Sequence, residues 1–203
     1  MAHMNRSFLF TMLLGFCGLQ VAKADSPVTS TDISSYYMEY EMVAKNVGAF
    51  ELDAATLAFL LNDQERTDVK AAVINALGWG DKVTDMGPVF RDALTAKYGT
   101  EELEAYQGAD LMCLAYLVAM DDYFNVAEAS KIMDLARQKS PESATVAMIR
   151  AVIKGQEAMD TNWCEVWMLC SEALQATAEP RDMKTAAIQN IVDYMILYKS
   201  YCY

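Results

Sequence analysis

Residues 110–120 read Asp-Leu-Met-Cys-Leu-Ala-Tyr-Leu-Val-Ala-Met. After Asp110 there is no charge until Asp121. Ten apolar residues are too few to cross a bilayer as a helix. Leu, Met and Ala are strong helix formers, and no alternation of polar and apolar residues suggests a strand. The stretch therefore reads as the most buried helix of a globular domain, with Asp110 as its expected cap.

The same composition extends outward in both directions. Ala, Leu, Met and Glu dominate, and Pro88, Pro141 and Pro180 are the only prolines beyond the first few residues of the mature chain. No window alternates Val, Ile or Thr as a strand would. The expectation is an all-α fold of about ten short helices in antiparallel hairpins, forming a right-handed α-α superhelix or an irregular helical bundle. Helices are expected from Ile33 to Val47, from Asp53 to Leu61, from Glu65 to Leu77 and from Pro88 to Lys97. Others follow from Thr100 to Tyr106, Leu111 to Met120, Val126 to Gln138, Ser143 to Ala158, Asn162 to Ala176 and Arg181 to Tyr198.

A template recurs along these hairpins. Leu135 lies six residues before Pro141, and Ala147, Ile149 and Val152 lie six, eight and eleven after it. Leu174, Ala186, Ile188 and Ile191 repeat the pattern around Pro180, and similar sets surround Arg66 and Ala109. The anchors are 43, 32 and 39 residues apart, which is the size of a helical hairpin. Ala129, Ala136 and Pro141 have the spacing of the small, small and proline positions of a tetratricopeptide repeat. This hairpin resembles a degenerate tetratricopeptide or HEAT-like unit; the Trp-Leu-Gly-Tyr half of the pattern does not precede it. The resemblance implies protein or peptide binding on a concave face.

The N-terminus reads as an address. Arg6 precedes an apolar run from Phe8 to Leu19, and Ala22-Lys23-Ala24 places small residues where a signal peptidase cuts. Residues 1–24 are expected to be a signal peptide and 25–203 a single helical domain. Export to a bacterial periplasm is expected, with secretion as the alternative. The full chain has 203 residues, a formal charge of -12 and one histidine, His3. Cleavage removes Arg6, Lys23, His3 and Cys17 but no acid, so the mature chain of 179 residues carries -14 and no histidine.

That absence excludes much. Without histidine there is no Ser-His-Asp triad, no Cys-His pair and no His-ligated metal. A carboxylate pair, a Ser-Lys or Cys-only nucleophile, or a carboxylate-bound calcium remains. Asp81, Asp85 and Gly87 lie in a turn-like stretch, where such residues more often cap helices than hold calcium. No catalytic, cofactor-binding or metal-binding residue is assigned. The negative charge argues against nucleic acid and favours a basic or neutral protein partner.

Four cysteines remain as disulfide candidates: Cys113, Cys164, Cys170 and Cys202. Cys164 and Cys170 are six apart on one expected helix, which separates them by about 240° and about 9 Å. The pairings left are 113–164 with 170–202, or 113–170 with 164–202. At least one bridge involving Cys202 is expected. No Cys-x-x-Cys pair exists, which argues against zinc and against a thioredoxin-like role.

Tyr36, Tyr37 and Tyr40 cluster with Met38, and Trp79 sits in a Gly-Trp-Gly turn. These are candidate interface residues, because Tyr, Trp and Met are enriched at protein interfaces. The favoured expectation is an exported, periplasmic or secreted, non-enzymatic module that binds a protein or peptide. Three alternatives stand beside it: an immunity or inhibitor protein, a carboxylate-dependent enzyme acting on glycans, and a small-molecule or lipid carrier. A groove along Tyr36 and Tyr40, a cleft with paired acids or a deep apolar cavity would favour the binder, the enzyme or the carrier respectively.

Overall fold

A computed structural model describes residues 26–203, except 81, 83, 178 and 180. The expected signal peptide, with His3 and Cys17, lies outside the described residues, as do Asp81 and Pro180. The described residues form ten α-helices and no strand. They are α1 (Pro27–Ser30), α2 (Glu41–Lys45), α3 (Ala54–Leu61), α4 (Thr67–Leu77) and α5 (Met86–Tyr98), followed by α6 (Gly108–Asp121), α7 (Ala127–Lys139), α8 (Ala144–Ala158), α9 (Trp163–Gln175) and α10 (Thr185–Met195). Short 3-10 helices occupy Ser34–Tyr37, Leu103–Ala105 and Ile196–Cys202.

The caps follow the chemistry of the sequence. Asp53 accepts the backbone N–H of Thr56 at 2.7 Å and starts α3. Ser143 accepts that of Val146 at 3.1 Å and starts α8. Gly99 ends α5 in the left-handed region, with φ 71°.

Helix α6 is the centre of the domain. It touches α1, α3, α4, α5, α7 and α8, and Leu111 to Leu117 is wholly buried. A segment apolar all round is stable only when surrounded by other apolar faces. Consecutive helices then pack on each other: α5 on α6, α6 on α7, α7 on α8 and α8 on α9. The N-terminal segment closes this succession. Helix α1 lies against α6, α8 and α10, and Ser34–Tyr37 touches α10, so the two ends of the described chain meet.

Four expected elements differ. The helix expected from Ile33 to Val47 is a 3-10 turn followed by the short α2. Asp32 takes the Ser34 hydroxyl and the Ser35 N–H, and the Asn75 side chain takes the Ser34 N–H at 2.9 Å. These bonds hold the backbone out of an α-helix, and Tyr40 is extended. Thr100 to Tyr106 is only one 3-10 turn, because the Tyr106 hydroxyl donates back to the Thr100 carbonyl at 2.9 Å. The last helix ends at Met195 and continues as a 3-10 tail. Asp110 does not cap α6, whose N-cap is Gln107. It is 1% exposed inside the first turn, 4.0 Å from the equally buried Lys70 ammonium. Its other oxygen accepts from Lys97 at 2.8 Å and from Tyr98 at 2.7 Å.

Candidate functional site

A cleft of about 480 Å³ opens between α5, the C-terminal end of α6 and the start of α7. Five carboxylates line it: Asp85, Asp92, Asp121, Asp122 and Glu128. Asp85 precedes α5 and Asp92 lies on it. Asp121 and Asp122 end α6, where the chain turns into the short loop to α7.

Two of the five meet cations. Asp121 accepts the backbone N–H groups of Met86 at 3.0 Å and Gly87 at 2.6 Å, and the Lys82 ammonium at 2.9 Å. It thus caps α5 from another helix and holds the two walls together. Gly87 makes that approach feasible, since a Cβ there would stand 2.7 Å from Val118 Cγ2. Glu128 pairs with Arg91. Among the described residues no cation pairs with Asp85, Asp92 or Asp122. No group of three or more carboxylates or thiols among the described residues is placed to hold a metal ion.

The loop between Asp122 and Asn125, both in the cleft wall, carries two aromatic rings. Phe124, in the same loop as Asp122, is 72% exposed and lies 4.3 Å from the Tyr123 ring. Tyr123 meets Trp79 edge to face at 5.4 Å. The Asp122 carboxylate accepts the Phe124 N–H at 3.1 Å and fixes that loop. Trp79, one of the candidate interface residues, is thereby linked through Tyr123 to the loop that carries Asp122.

The other candidates sit elsewhere. Tyr37 is wholly buried, which corrects its assignment as an interface residue. Its hydroxyl donates to Asp68 at 3.0 Å and accepts the backbone N–H of Lys184 at 2.9 Å. Burial, with the Asp68 carboxylate adding to it, pushes the phenol well above its ordinary range. The Lys184 ammonium lies 4.7 Å from the centre of the Tyr37 ring and 5.6 Å from that of Tyr40. It also pairs with Glu39 and donates to the Tyr36 carbonyl. The chain's own Lys184 therefore lies over the Tyr37 and Tyr40 rings. Tyr36 and Met38 remain exposed.

Cys164 and Cys202 form a disulfide. Cys113 and Cys170 are buried free thiols, so two of the four candidates are not bridged. Desolvation pushes each thiol up to about 12. A Ser-Lys contact also occurs: Lys154 donates to Ser130 Oγ at 3.3 Å. Lys154 donates as well to Asp134 at 3.0 Å, and Arg150 donates to Asp134 at 2.7 Å. Partial burial raises the Asp134 carboxyl, but these two cations outweigh it and hold it below its ordinary range. Lys154 is thus the ion-pair partner of Asp134, and Ser130 is buried.

Comparison with family models, with curated proteins and with solved structures returns no match. The residues of the cleft carry the functional reading by themselves. In the sequence the Asp121-Asp122 pair and the turn at Asp85 and Gly87 lie far apart, and neither says that the other is its neighbour. Asp92 and Glu128 are ordinary helix-surface acids in sequence and carry no signal.

Proposed function

We propose that this is an exported interaction protein that takes a basic segment of a partner protein or peptide into the α5–α6–α7 cleft. One observation carries the reading: Asp85, Asp92 and Asp122 face an open cleft without cations of their own, with an exposed aromatic loop alongside. Unpaired carboxylates attract Arg or Lys side chains, with charge-assisted hydrogen bonds as the reward for contact. An exposed Phe or Trp face adds attraction for the same cations. An open acidic cleft suits such a ligand better than a lipid, which needs an enclosed apolar cavity. The leader-like residues 1–24 support export.

Calorimetric titration of residues 25–203 with a hexa-arginine peptide tests the reading. Binding is expected, weakening as salt rises, with a hexa-glutamate peptide inert. The Asp92→Asn, Asp122→Asn double variant is expected to lose at least tenfold in affinity, about 1.4 kcal/mol. Equal binding by the double variant, or none by the parent, would overturn it.

A further inference from the structure

Exposed large apolar side chains concentrate at the C-terminal end of the described chain. Met168 is 59% exposed and Leu197 63%, with Trp163, Ile196, Tyr201 and Tyr203 also at the surface. The 3-10 tail Ile196–Cys202 runs antiparallel along α9. Lys199 lies over the Trp167 ring at 5.3 Å, Tyr201 meets Trp163 at 4.8 Å, and Cys202 is bonded to Cys164. The disulfide and these ring contacts hold the apolar tail at the surface beside α9. The Trp163 indole donates to the Met159 carbonyl at 2.8 Å, so its polar atom is satisfied within the chain.

Two shallow hollows of about 430 and 330 Å³ flank Met168, the first walled by Trp167 and Gln175, the second by Glu165 and Leu169. Hollows on either side of a helical ridge receive the side-chain ridges of a second helix. The charges around them are acidic. Among the described residues Glu165 is exposed without a cation, Glu172 is open to solvent with Arg150 at 4.0 Å, and Asp160 is exposed just before α9. The Lys199 cation is turned onto Trp167.

We propose that the α9–tail face is a docking surface for a basic amphipathic helix of a partner protein. Its apolar centre takes the partner's apolar stripe, and Asp160, Glu165 and Glu172 take its flanking Lys or Arg. A second copy of this chain is the wrong partner, because two mature chains would bring net charges of -14 together. The surface is distinct from the α5–α6–α7 cleft and does not depend on it.

The test uses residues 25–203 with the disulfide intact. The probes are an amphipathic helical peptide of Leu and Lys, about five turns long, and its Leu and Glu counterpart. Fluorescence titration reads binding. The Leu/Lys peptide is expected to bind and the Leu/Glu peptide not. Met168→Lys with Leu197→Lys is expected to cut affinity at least tenfold while circular dichroism and thiol count stay unchanged. The cleft variant Asp92→Asn, Asp122→Asn is expected to bind as the parent does. Equal binding of both peptides, loss of binding in the cleft variant alone, or full binding by the Met168, Leu197 variant would each overturn the proposal. So would a concentration-dependent dimer in sedimentation that the same variant abolishes, since that makes a second copy the occupant.

Discussion

The Tyr37 hydroxyl accepts the backbone N–H of Lys184, 147 residues away in sequence, and donates to Asp68 on α4. One phenol thus ties the N-terminal turn and the start of α10 to the middle of the domain. The Lys184 side chain folds back over the same ring and over Tyr40.

Tyr37→Phe keeps the ring but leaves the Lys184 N–H and the buried Asp68 each short of a bond. Removing one partner from buried polar groups costs about 1–3 kcal/mol. Urea unfolding should show that loss with an unchanged slope. Hydrogen exchange should speed up at the start of α10 while α6 stays protected.

The Cys164–Cys202 bridge closes 38 residues of chain. Loop-closure entropy puts its loss at about 4 kcal/mol. Cys202→Ser, or reduction, should lower the melting temperature and release the tail first, which protease sensitivity after Lys199 would register. In residues 25–203, a thiol reagent should find no reactive thiol in the native state. Unfolding should expose two, and reduction two more. Burial holds Cys113 and Cys170 protonated up to about 12. Their folded values are raised, so they cost no stability below about pH 8.5, where the unfolded thiols begin to ionise. Above that pH stability should fall. Native thiol reactivity near pH 8 would contradict this.

Lys70 and Asp110 are both 1% exposed, yet they are not equivalent. Asp110 also holds Lys97 and Tyr98, whereas among the described residues Asp110 at 4.0 Å is the only charge partner of Lys70. Asp110→Asn therefore strands a buried ammonium and should cost about 3–5 kcal/mol. Lys70→Met should cost less, since Asp110 keeps its other partners. The double variant should recover part of the Asp110→Asn loss. A thermodynamic cycle over the four proteins measures this coupling, and additive losses would rule it out.

Acid should weaken the fold through Asp134. Its carboxyl is lowered in the folded state by Lys154 and Arg150, against the opposing effect of burial. A lowered folded value contributes stability above the unfolded value of about 3.9, and that stability is lost as pH falls through the folded value. Asp134→Asn should be less stable than the parent at pH 7. The difference should shrink steadily below about pH 4.

Much of the helical layout was legible in the residues. Asp53, Ser143 and Gly99 act at the ends of α3, α8 and α5 because capping is local chemistry, settled within a few residues. The run from Leu111 to Met120 declared its own burial, because an uncharged helix has no face to give to water. Local reasoning fell short where a distant group competed for the backbone. Asn75 diverts Ser34, and Tyr106 curls back on Thr100. Asp110 looked like a cap and is an ion-pair partner, because Lys70 and Lys97 arrive from other helices. The cleft was not legible: Asp121-Asp122 and the Asp85 turn lie 36 residues apart in the sequence, and neither was assigned to a site.

By itself the sequence determined the all-α class, the central helix and the lack of histidine in residues 25–203. These depend on side-chain chemistry and on periodicity within one helix. The tertiary structure alone decided that Cys164 rather than Cys170 meets Cys202, that Tyr37 is a buried clasp, and that Asp85, Asp92 and Asp122 share one cleft. The physical reason is distance. Such groupings depend on how helices far apart in the chain lie against one another, and that is set by packing of the whole core around α6.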